Sequence, residues 1–219
     1  MIADTLKNRK YVKEYDPDVV IPKYLIDSLL EKTWSLTPSK NNFMPYTIHV
    51  VGPEHQEYKQ KIFDHCIATK AGGDGVADPM KERYHTTLPN FANILNCSYV
   101  FIFTMRLEDK PNPVQQELIK AGHTYKAVDE ERLDDLLPIA SLEVGLFINT
   151  FSVLCLENNI DVSFTGCFAR NPIFWKGLPF VNRTPIIIMT AGKAKVYKQD
   201  VNKGSLNIRP NFERIVNYI

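Results

Sequence analysis

The most constraining stretch of the chain is PIASLEVGLFINTFSVLCLENN, which starts at Pro138 and is apolar on most faces, with one acid, Glu143, near its start. A helix that presents apolar residues all round is either central to a core or shared with a second chain. Asn158-Asn159 supplies its C-terminal stop, because asparagine tolerates the left-handed backbone that ends helices. Glu143 admits two readings: a buried general base, or an acid that faces a partner or a polar loop.

The segments around this helix alternate in type. After Pro22, the apolar residues Leu25, Ile26, Leu29, Leu30 and Trp34 recur at helical spacing. That helix ends near Thr37-Pro38, since the residue before a proline is pushed out of the helical region. The loop PSKNNFMPY follows and runs into a strand, TIHVVG. A second helix is predicted over 54–70. The glycine-rich AGGDGVADP after it reads as a surface connection, because no strand precedes it and no Gly-Lys-Ser/Thr follows. LPNFANILNCSYVFIFTMR reads as a short helix running into a buried strand, with Tyr99 to Phe103 continuously apolar. Beyond the long helix come a strand entering a glycine turn, IDVSFTGCF, a short helix at NPIFWKGL, and a buried strand, TPIIIMTAG. The charged stretch at about 106–136, broken by Pro111, Pro113 and Gly122, is a helical excursion placed to cover an active site. With no internal repeat, residues 1–219 are predicted to form one mixed domain with four strands. A doubly wound nucleotide fold would show more strands and a Gly-x-Gly-x-x-Gly after the first, which is missing.

Composition narrows the chemistry. A hydrophobic content of 44% over 219 residues is enough for a real core. The 26 basic and 25 acidic residues nearly cancel, so no overall field draws the chain to nucleic acid or to an anionic membrane, and any anion site must be local. Cys66, Cys97, Cys155 and Cys167 lie far apart without metal-ligand spacing and read as reduced core thiols. No charged-then-apolar signal opens the chain, and no apolar run reaches roughly 18 residues without a charge or proline. A cytoplasmic protein without a membrane partner is therefore expected. The histidines His49, His55, His65, His85 and His123 show no His-Glu-x-x-His spacing, and Gly-x-Ser-x-Gly does not occur, so neither a metal site nor a protein nucleophile is predicted. Arg9 and Lys13 are four apart. On one helical turn they would converge on a single anion; the alternative is a solvated basic terminus.

Taken in order, these pieces resemble the nitroreductase family of FMN-dependent oxidoreductases. RKYVKEY, from Arg9 to Tyr15, is similar to the family's opening Arg-x-Ser-x-Arg/Lys-x-Phe, with Tyr11 in place of the serine. PSKNNFMPY stands where the family has Pro-Ser-Ser-x-Asn-x-Gln-Pro-Trp, with Lys40 and Met44 as departures. PNFANILNCSYVFIF puts Asn90 at the family's flavin-contacting asparagine. VSFTGCF, with Phe164, Thr165 and Gly166, resembles the strand and turn beside the flavin ring. NIRPNF places Arg209 at a phosphate-binding position, and Asn207 at one that is often basic.

The resemblance implies an α+β, nitroreductase-like FMN-binding fold: a central, mainly antiparallel sheet flanked by helices, homodimeric through the long helix. It implies NAD(P)H as hydride donor, a nitroaromatic or quinone-like acceptor, and chemistry carried by the flavin. Arg9, Lys13 and Arg209 would neutralise the phosphate through charge-assisted hydrogen bonds, with Lys10, Tyr11 and Asn207 also among the cofactor-binding positions. Pro38, Ser39, Lys40 and Asn42 would form the flavin loop, reaching the flavin of the other subunit. Asn42 and Asn90 offer both donors and acceptors to the pyrimidine edge and ribityl hydroxyls. Gly166, without a side chain, would let the backbone approach the ring. Two other readings stay open: a flavin-binding protein without turnover, and a flavin-free interaction domain.

Overall fold

The computed structural model describes residues 12–40, 43–70, 94–106, 110–111, 113–124, 133–166, 168, 175, 177–178, 181, 183 and 185–197, with the side chains of Lys13, 67–70 and 133–134 set aside. Six strands and four helices are placed among them: β1 (Val12–Tyr15), α1 (Lys23–Leu36), β2 (Tyr46–Val51), α2 (Gln56–Lys70), β3 (Tyr99–Met105), α3 (Pro113–Lys120), α4 (Leu133–Glu157), β4 (Asp161–Thr165), β5 (Pro185–Gly192) and β6 (Ala194–Tyr197). The four strands predicted from sequence form one antiparallel sheet in the order β2-β3-β5-β4.

Strand β3 sits inside this sheet, and every residue of it is buried. Its continuous apolar run follows from that position, since a strand covered on both faces has no reason to alternate. Tyr99, Phe101 and Phe103 face one apolar layer with α1 and α4, whereas Val100 and Ile102 face another with α2. On the α4 side the aromatics interlock: Phe151 meets Phe101 edge-on at 5.2 Å and Phe147 meets Phe103 edge-on at 5.9 Å. Burying each such side chain contributes about 1.5–3 kcal/mol.

Helix α4 buries Ala140, Glu143, Val144, Phe147, Ile148, Phe151, Leu154 and Cys155, a stripe at spacings of three and four. By length and composition, residues 135–157 would also suit a bilayer, a test that the core helix of a globular protein passes equally well. The opposite side keeps Ile139, Leu142 and Leu146 exposed. The helix starts at Leu133, so Pro138 lies inside it and not at its first turn as the sequence suggested. Its stop is as expected: Asn159 has φ 57°, and the Ile160 N–H returns to the Cys155 carbonyl at 2.9 Å.

Helix α1 ends where the proline rule places it. Thr37 is extended at ψ 122°, and its N–H caps the Thr33 carbonyl at 2.9 Å. The buried side of α1 is Ile26, Leu29 and Thr33, while Trp34, which the periodicity grouped with them, is 60% exposed. Helix α2 is held by a buried cation: Lys59 Nζ donates to the carbonyls of Cys97 at 2.7 Å and Ser98 at 3.2 Å, and burial pushes its pKa down.

Two strands went unread in the sequence. β1 pairs antiparallel with β6, Val12 opposite Tyr197, in a separate two-stranded sheet. Tyr15 anchors it: fully buried, its hydroxyl lies 3.1 Å from both the carbonyl and Oγ1 of Thr190 in β5. Lys13 therefore lies in a strand and not on the helical turn that one of the two readings of Arg9 and Lys13 required. Val12 and Tyr15 are core residues, and the ladder to β6 takes up their backbone hydrogen-bonding groups. Helix α3 falls within the predicted excursion and has no buried side chain. The glycine-rich 71–79, most of the NPIFWKGL helix and the chain from 198 onward lie outside the described residues.

Candidate functional site

The loop from Pro38 to Pro45 is built around two anchors, one on α4 and one after β3. Ser39 Oγ donates to Glu143 Oε2 at 2.7 Å, and the Lys40 backbone N–H donates to Glu143 Oε1 at 3.1 Å. Glu143 is 4% exposed. A carboxylate taken out of water needs such donors, and here it finds two from adjacent residues. Of the two readings of this acid, the polar loop is the one observed. Ser39 Oγ in turn accepts the Met44 N–H at 2.8 Å, closing the loop on itself.

Met44 has φ 44°, a left-handed backbone that costs a non-glycine residue about 1–3 kcal/mol. It is held there from both sides. Its N–H goes to Ser39, and its carbonyl accepts from Arg106 Nε at 3.0 Å and from the Tyr46 N–H at 2.8 Å. Arg106 also donates through Nη2 to the Phe43 carbonyl, and its guanidinium lies 5.5 Å from the centre of the Phe43 ring. Nothing in the sequence signals this clamp. A residue before proline is normally extended, and Arg106 is far away along the chain.

The other predicted site residues fall at a second place. Phe164 and Thr165 are half-buried at the end of the edge strand β4, opposite Met189 and Ile188, and Gly166 is exposed just beyond. A Cβ at Gly166 would meet nothing within 4 Å, so the backbone there is open to a planar group, as the resemblance requires. Phe164 and Met44 pack against the same apolar layer formed by α1 and α4. Pro38 and Lys40 are exposed, so the Lys40 ammonium is available to an anion. This much fits a flavin. Lys13 is placed in β1 without a described side chain, and Arg9, Lys10, Tyr11, Asn42, Asn90, Asn207 and Arg209 lie outside the described residues.

Beside the loop, between α1, β2 and Phe147 of α4, lies an open cavity of about 650 Å³ lined by Leu30, Trp34, Phe43, Tyr46 and Arg106 among others. Tyr46 packs edge-on against Phe147 at 5.8 Å. Among the described residues, its hydroxyl is the one buried side-chain polar atom without a hydrogen-bond partner. Burial, aided by the charge of Glu143, pushes its pKa up to about 12, so it stays a neutral donor.

No described group of histidine, cysteine and acid side chains could hold a metal ion. Cys66, Cys97 and Cys155 are buried thiols. Burial pushes the Cys97 thiol up to about 12 and the Cys155 thiol higher still, which removes both as nucleophiles. His49 shares a hydrogen bond with Thr104 Oγ1 at 2.9 Å, and His65 packs on Trp175 at 5.1 Å between ring centres.

The antiparallel sheet flanked by helices, with the long α4 against one face, is the nitroreductase fold. A protein assigned as an NAD(P)H:FMN oxidoreductase from Staphylococcus epidermidis superposes with TM-score 0.67 at 17% identity, covering 100% of this chain and 96% of its own. A nitroreductase-like protein from Streptococcus mutans gives 0.64 at 19% identity, over 99% and 97%. A protein assigned as a nitroreductase, in complex with FMN, from Exiguobacterium sibiricum gives 0.66 at 16%, over 100% and 97%. No protein-family model matches the chain, and no curated protein matches it.

Proposed function

We propose that the chain is a homodimeric, FMN-dependent oxidoreductase that passes a hydride from NAD(P)H to a small oxidised acceptor of the nitroaromatic or quinone type. The observation that carries this reading is its likeness over the whole chain to a structure solved with FMN, at TM-score 0.66. It is supported by the loop at 38–45, whose sequence resembles the family's flavin loop and whose backbone is held in a strained shape by buried bonds. Strain that the surroundings enforce is concentrated at functional sites.

In this reading, Arg9, Lys10, Tyr11 and Lys13 at the start, with Asn207 and Arg209 near the end, hold the phosphate. Pro38 to Asn42 and Asn90 meet the ring edge and ribityl chain, and Phe164 to Gly166 pass beside the ring. FMN, when bound, supplies the two-electron relay between the nicotinamide and the acceptor. The chain orients it, neutralises its phosphate and excludes water. The exposed Ile139, Leu142 and Leu146 on α4 provide an apolar face for a second copy. Residues 1–219 act as one domain, with the segment around α3 over the cleft, in the cytoplasm.

Absorbance of the purified chain tests the cofactor. A yellow preparation that bleaches within seconds of adding NADH or NADPH anaerobically supports the enzyme. A spectrum that stays oxidised would mean a flavin binder, and a colourless chain that ignores added FMN would end the proposal.

A further inference from the structure

We infer that Glu143 is a positioning residue for the 38–45 loop, and that Ser39 serves this linkage and donates nothing to a ligand, leaving Lys40 as the loop's outward contact. The identity of the ligand rests on the FMN reading above; the linkage itself does not.

The inference follows from counting donors. A serine hydroxyl has one O–H and two lone pairs. The Ser39 O–H is spent on Glu143 Oε2 at 2.7 Å, and one lone pair takes the Met44 N–H at 2.8 Å. The Lys40 N–H is spent on Glu143 Oε1 at 3.1 Å. Both donors therefore point inward at one buried carboxylate, and of the exposed described residues of the loop, Pro38 and Lys40, only Lys40 carries a charge. The chain of contacts runs from α4 through Glu143 and Ser39 to Met44, whose left-handed backbone the Ser39 oxygen helps to hold. Glu143 lies beside Leu142, which is 66% exposed on the apolar face of α4. The same turn of helix thus presents Leu142 outward and Glu143 inward to the loop.

The test compares the full-length wild type with Glu143→Gln, Ser39→Ala and the double variant. Amide hydrogen exchange is read without FMN, and FMN affinity by fluorescence quenching. Glutamine keeps an acceptor for one of the two donors but turns its amide group on the other. The Lys40 and Met44 amides should exchange about tenfold faster or more in both single variants, with other core amides unchanged, because a charge-assisted bond is lost. The dissociation constant for FMN should rise by a similar factor. The double variant should be no worse than the weaker single, since the residues act in series. A Lys40→Ala variant should weaken FMN binding with a reduced salt dependence.

Unchanged exchange at Lys40 and Met44 would overturn the linkage, and faster exchange with unaltered FMN affinity would overturn its role in the site. If the wild type takes up no FMN while exchange responds as stated, the flavin reading fails and the linkage stands. Should Glu143→Gln fail to fold, Ser39→Ala carries the same comparison.

Discussion

Two glycines offer one chemical change in opposite surroundings. Neither Gly166 nor Gly192 has a positive φ, so alanine is backbone-compatible at both, and the result depends on what the new methyl group meets. At Gly192 the methyl would stand 2.9 Å from Tyr15 Cδ1 and 3.2 Å from the Ser98 backbone nitrogen. Tyr15 cannot swing aside, because its ring is fully buried and its hydroxyl is tied to Thr190. Overpacking of this kind costs about 1–3 kcal/mol, against a gain of about 0.4–1 kcal/mol from the stiffer unfolded chain. Gly192→Ala should therefore destabilise by about 1–2 kcal/mol, lowering the melting midpoint by about 2–8 °C in a chain of this size. At Gly166 the methyl meets nothing within 4 Å. Gly166→Ala should hold or slightly raise the midpoint, yet weaken FMN binding about tenfold if the ring lies over that backbone. Circular dichroism melts and fluorescence titration with FMN read both variants. A Gly192→Ala protein as stable as the wild type would refute the packing of Tyr15, and a Gly166→Ala protein with unaltered FMN affinity would refute the placement of the ring.

Other outcomes follow from charge and burial. If Lys13 and Arg209 hold the phosphate as proposed, replacing both by alanine should cost FMN affinity about a hundredfold or more at low salt, through loss of two charge-assisted bonds, and equilibrium dialysis would show it. If the exposed side of α4 is the dimer seam proposed above, Leu142→Glu should shift sedimentation from dimer to monomer while leaving the fold intact, because the side chain is 66% exposed. Acid should weaken the protein below about pH 6.5. Burial depresses the pKa of His49 and of His65, so the unfolded chain binds protons first, and stability is lost as pH falls from the ordinary histidine value through the depressed folded ones. Urea midpoints at pH 7.5 and 5.5 should differ less in a His49→Gln variant than in the wild type.

The sheet was legible in the sequence because β3 and β5 are apolar runs and β2 and β4 are bounded by a proline loop and a glycine turn, and β3 could be read as buried from Tyr99 to Phe103 alone. Helix ends were legible where proline or asparagine punctuates them, at Thr37 and Asn159. β1 and β6 were not. VKEY and AKVY are short and half polar, and they are strands only because each is the other's partner across nearly the whole chain. Pro138 misled as a helix start, because a proline fixes its own φ wherever it sits and marks no boundary by itself. At the site, the loop was legible as an amide-rich departure from a plain turn. The purpose of Glu143 was not, because its partners lie 103 and 104 positions earlier. Nor was the posture of Met44, which contradicts the local preference and exists through Ser39 and Arg106.

The pairing of β1 with β6 has a consequence for how the molecule comes together in time. Tyr15 finds Thr190 across 175 positions of sequence, a closure that carries a large entropic cost and few early contacts to offset it. The large sheet and its helices can assemble first, leaving the opening segment to be stitched on last, once residues near 190 have been made and folded. A nascent chain would thus acquire β1 as an ordered strand only after the residues of β5 and β6 have been made.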